Sequence, residues 1–129
     1  MISRYDLTTA VEIAARHIAP DDVDACAERL RIAAVPALLQ WCPALENPWR
    51  VAAVLCWCDM VGAGRLERSG LRLAVHAKNW SGAALEIRRR VLTRGRIDPD
   101  RFEARAVLAE MMLRGGPAEK DEAPGKAGA

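Results

Sequence analysis

The thirteen residues from Trp49 to Val61 read Trp-Arg-Val-Ala-Ala-Val-Leu-Cys-Trp-Cys-Asp-Met-Val and carry only two charges, Arg50 and Asp59. Asn47-Pro48 ahead of them supplies an N-cap and a proline at the first helical position. Gly62 and Gly64 behind them supply the stop. A helix that is apolar around most of its circumference must be wrapped by other elements. Its most apolar stretch, Val51 to Cys58, is far too short to span a bilayer. The chain is therefore expected to fold around a central apolar helix at 48–61.

The punctuation on either side of that helix predicts more helices. Asp6, Thr8 and Thr9 compete to cap a first helix, with Thr9 and Glu12 spaced as a capping box, and Pro20 ends it. A second helix opens on Pro20-Asp-Asp-Val-Asp24, whose aspartates complement the helix dipole. Its apolar stripe is Val23, Cys26, Ala27, Leu30, Ala33 and Ala34. Pro36 starts a short helix that Pro43 stops. Ser81 opens another that ends near Gly95, and Asp98-Pro99 launches the last, to Leu113.

Residues 65–80 admit two readings. Leu71-Arg-Leu-Ala-Val-His-Ala-Lys78 alternates with period two, so a small β-hairpin over 65–75 is one. The other is a helix capped by Ser69 that buries Leu71, Ala74 and Val75. The helix is preferred, because a lone hairpin in a helical chain lacks a packing partner. The fold class is all-α, an irregular bundle of six or seven short helices forming one domain over 1–114. From Gly115 the composition falls to Gly, Pro, Ala, Lys and acids, which predicts a disordered tail over 115–129.

Cys26, Cys42, Cys56 and Cys58 have no zinc-site spacing. Cys56 and Cys58 leave one helix about 200° apart and cannot face one metal together. The expectation is four reduced thiols filling helix interfaces, with no metal and no cofactor. With no apolar leader at the start, a cytoplasmic protein without a membrane partner is expected.

Charge is sorted along the chain. From Met1 to Asp59 there are 5 Arg/Lys against 8 Asp/Glu, while from Met60 to Gly116 there are 12 against 6. Such a field steers partners of opposite sign. The densest cluster is Arg88, Arg89, Arg90, Arg94, Arg96 and Arg101. These six arginines are the candidate partner-binding residues, and an acidic protein surface is the expected partner. The backbone phosphates of a nucleic acid are the alternative. Phe102 and Trp80 are the only rings nearby and both suit a core, which disfavours single-strand stacking. On a helical projection of 83–94, Arg88 falls inside the apolar arc, where Asp59 is a candidate counter-charge. Arg105 is placed the same way on the last helix.

That last helix has a narrow polar stripe of Glu103, Glu110 and Arg114. It either lies deep in the core or offers a second apolar face for homo-oligomerisation. Catalysis would rest on His17 or His76, each needing a carboxylate such as Glu12, Asp59 or Glu67 beside it. No catalytic residue is assigned. Hydroxyl and amide side chains are scarce, three Ser, three Thr, two Asn and one Gln, and catalytic pockets usually need such groups to orient substrate. The expected role is a non-enzymatic accessory or regulatory protein of bacterial or phage type.

Overall fold

Val51 through Cys58 are all buried, eight consecutive residues on a single helix. That helix, α4 (Pro48–Val61), forms where the sequence predicts it, with Asn47 Oδ1 accepting the amides of Trp49 and Arg50 at 2.9 and 3.1 Å. Gly62 ends it at φ +99°, a conformation that favours glycine. The computed structural model describes residues 2–89, 92–93, 96–97 and 99–117.

Around α4 the chain lays α1 (Arg4–Ile18), α2 (Val23–Arg29), α3 (Val35–Trp41), α5 (Gly70–His76), α6 (Trp80–Arg88) and α7 (Pro99–Arg114). A 3-10 helix, Ala63–Arg68, joins α4 to α5. The fold is all-α: α1 and α7 pack on α4, α6 packs on α7, and α5 packs on α6. Residues 65–75 are helical, so the hairpin reading is overturned. Ser69 Oγ accepts the Arg72 amide at 3.1 Å, and Leu71 and Val75 are buried at helical spacing.

Several boundaries differ from the sequence reading. Ser3, not a later Asp or Thr, caps α1 by accepting the Asp6 amide at 3.0 Å. Asn79 caps α6 through the Gly82 amide at 3.0 Å, which brings Trp80 into the helix ahead of Ser81. The helix also stops at Arg88 instead of running to Gly95. Arg89 is extended at ψ 160°, and Leu92–Thr93 (β1) pairs antiparallel with Arg96–Ile97 (β2). Thr93 and Ile97 are β-branched and suit this pairing, which lies where the helical projection expects the end of a helix.

Pro36 does not begin a new helix. α2 and α3 are continuous through a wide π turn, Leu30–Ala34, in which the Val35 amide donates to the Leu30 carbonyl five residues back. The buried positions Cys26, Leu30, Ala34, Leu38 and Cys42 are each four apart. On an ideal α-helix four such steps drift by about 160°. One wide turn removes much of that drift and keeps the row facing the core. It also opens the backbone ahead of Pro36, which has no amide to give and cannot seat its ring against the Ile32 carbonyl at α spacing.

α7 lies deep. Val107, Leu108, Ala109, Met111 and Met112 are buried, with α4 on one side and α6 on the other. Most of its described apolar residues are thus consumed within the chain, while Leu113 stays 46% exposed. Its end is tied to the start of α4. Arg50 Nε donates to the Met112 carbonyl at 2.8 Å, Arg50 Nη2 to the Leu113 carbonyl at 3.2 Å, and Asn47 Nδ2 to the Gly115 carbonyl at 3.1 Å. Residues 115–117 are thus half-buried continuations of the domain. The rest of the predicted tail, 118–129, lies outside the described residues.

Candidate functional site

The 3-10 helix, the first turn of α5, the end of α6 and the middle of α7 enclose a cleft of about 570 Å³ floored by Trp57. Arg65, Arg68, Arg89 and Arg105 line it, with Glu67 and Glu86. Each arrives for a local reason. Gly62 turns the chain out of α4 so that Ala63–Arg68 runs over the cleft's edge, burying Leu66 and leaving Arg65 and Arg68 exposed. Among the described residues neither of these arginine side chains makes an ion pair or a hydrogen bond, although the Arg65 amide donates to the Gly62 carbonyl at 3.1 Å.

Arg89 leaves α6 at its extended C-cap, and its side chain is 69% exposed while that of Glu86 is 27% exposed. Nη1 of Arg89 donates to both Glu86 carboxylate oxygens, at 2.8 and 3.2 Å. The Glu86 carboxyl group rests against Gly70, where a Cβ would lie 2.6 Å from it. Behind them Arg105 is buried at 2% exposure, and its Nη1 donates to the Arg89 carbonyl. A guanidinium removed from water needs hydrogen-bond acceptors, and the end of α6 supplies one. Arg105 thereby fixes the backbone from which Arg89 projects.

Of the six arginines singled out by sequence, Arg88 and Arg89 sit exposed at the end of α6. Arg88 faces solvent instead of the core, because the helix ends there and the projected arc no longer applies. Asp59 is taken by Arg29, whose Nε donates to Oδ1 at 2.9 Å and whose Nη2 donates to Oδ2 at 3.2 Å. Glu86 pairs with Arg89, three residues along the helix. The side chains of Arg90, Arg94, Arg96 and Arg101 lie outside the described residues. In their place the structure adds Arg65, Arg68 and Arg105, which share the cleft with Arg89. The first two fall in the segment whose secondary structure the sequence leaves open.

Other cations of the basic half are engaged internally. Arg72 stacks on Trp41 at 4.7 Å from the ring centroid and donates to the Glu67 carbonyl at 2.7 Å. Arg114 donates to Glu110 at 2.9 Å. At the opposite corner Arg50 lies 4.1 Å over the Trp80 ring, and burial lowers its pKa.

The histidines do not share the cleft. His76 is exposed, with Nε2 at 3.1 Å from the Trp41 carbonyl, and His17 is exposed on α1. Glu12 bonds Arg16 at 2.8 Å. The four thiols are buried and unbridged. Burial pushes the Cys42 thiol up to about 11 and the Cys58 thiol to about 12, and drives Cys56 higher still. They are therefore poor nucleophiles at neutral pH. Among the described residues no cluster of His, Cys, Asp and Glu could hold a metal ion, and no helix is long and apolar enough to cross a membrane.

No family model, curated protein sequence or solved structure matches the chain.

Proposed function

We propose that this protein is a cytoplasmic, non-enzymatic accessory protein that binds an acidic surface of another protein through its arginine-rich C-terminal half. One observation carries the reading: Arg65 and Arg68 from the 3-10 helix and Arg89 from the end of α6 converge on one open cleft, with Arg88 exposed beside them. An arginine fork donates two parallel hydrogen bonds to a carboxylate, and several forks on rigid elements select an acidic partner over a neutral one. Excess positive charge around the cleft speeds encounter with that partner.

The test uses a fluorescent hexaglutamate peptide in an anisotropy titration at about 50 mM salt. The wild-type protein is expected to bind saturably, and the double reversal Arg65→Glu with Arg68→Glu is expected to lose at least about tenfold in affinity. Circular dichroism checks that the reversed protein keeps its helices. Equal affinity in the two proteins contradicts the proposal. A duplex DNA fragment bound instead of the peptide, with affinity falling steeply between about 50 and 200 mM salt, replaces the protein partner with a nucleic acid.

A further inference from the structure

We infer that the cleft takes a side-chain carboxylate, an aspartate or glutamate on an acidic segment of the partner, in exchange for Glu86 on Arg89. This rests on the binding role proposed above and names the chemistry that the site reads.

The cleft already holds a carboxylate. Glu86 accepts from Arg89 with both oxygens, three residues away along the end of α6. It lies flat against Gly70 because that residue has no Cβ. The pair is unequally exposed: Glu86 is tucked in while Arg89 remains mostly open to solvent. An i,i+3 ion pair of this kind is weak, worth a fraction of what a desolvated fork makes with a ligand.

An incoming carboxylate meets Arg65 and Arg68, which have no internal ion pair among the described residues, and then Arg89, whose backbone Arg105 holds still. When Glu86 yields Arg89, the ligand gains the fork with little displacement of the main chain. Glu86 is thus an internal competitor. It keeps Arg89 from pairing with weak anions and lets a segment with several carboxylates in. A planar, doubly accepting carboxylate matches what Glu86 already does there. The cleft, at about 570 Å³, lies in the size range of small-ligand pockets.

The experiment compares hexaglutamate binding by four proteins: wild type, Glu86→Gln, Gly70→Ala, and the Arg65→Glu, Arg68→Glu double variant. Glutamine keeps the size of Glu86 and removes its charge. Alanine at 70 places a methyl group where the carboxylate rests and pushes it off, through a contact with only the flexible end of Glu86.

Both single variants are expected to bind hexaglutamate about three- to tenfold more tightly than wild type, and the double variant to lose binding. If wild type binds and the double variant does not, yet both single variants bind no better than wild type, the exchange is wrong while the binding role stands. If none of the four binds, the binding role fails and the exchange fails with it. If duplex DNA binds and hexaglutamate does not, the carboxylate assignment is overturned.

Discussion

The thiols show what burial does to a single residue. Cys42, Cys56 and Cys58 face apolar neighbours, and desolvation raises each pKa above its ordinary value. A thiol whose pKa is raised by folding keeps its proton in the native state after the unfolded chain has begun to lose it. Stability is therefore flat below about pH 8, and falls as pH rises from about 9 through 11 to 12. Urea titrations across that range check the slope, with Cys42→Ala and Cys58→Ala expected to flatten it. A slope that is unchanged in the alanine variants argues against this origin. The thiols were legible in the sequence, since cysteines spaced along apolar stripes are core residues. Arg105 was half legible: its place among Leu108, Ala109 and Met112 demanded a special partner. That the Arg89 carbonyl accepts from it depends on where α6 ends, which periodicity misplaces.

Among the elements, the continuous helix from Val23 to Trp41 makes the sharpest demand on its sequence. A buried row spaced by four and a proline inside a helix are each awkward alone, and one π turn resolves both. Deleting Ala33, which is exposed, takes out the extra residue and closes the turn to α geometry. The deletion alone is expected to cost about 3 kcal/mol, because Pro36 then meets a carbonyl at α spacing. Combined with Pro36→Ala it is expected to recover most of that loss. Thermal melts of the two variants measure the difference, and equal stabilities would contradict the proline argument. The same segment shows why boundaries are less legible than helices: a proline usually marks a helix start, and Pro36 sits inside one. Asn47-Pro48 and Ser69 worked as local signals, since each cap acts within three residues. The end of α6 did not, because tertiary contacts and the strand pairing decide it.

For the whole molecule, the sorting of charge was legible and its arrangement was not. Counting residues located the basic half. It did not reveal that Arg65 and Arg68, some twenty residues before Arg89, would face it across a cleft, because that meeting depends on how α5 and α6 fold back beside α7. Nor did the pattern separate arginines engaged internally, such as Arg72 and Arg114, from those left to solvent. Nor does the pattern say how deep α7 lies, and Val107, Leu108, Ala109, Met111 and Met112 are buried there. The most direct test follows the arginine Nε–Hε resonances by NMR as hexaglutamate is added. The account predicts saturable shifts at Arg65, Arg68 and Arg89, with Arg16 and Arg29, held by Glu12 and Asp59, left in place. Shifts spread evenly over all the arginines, or none at the cleft, would contradict it.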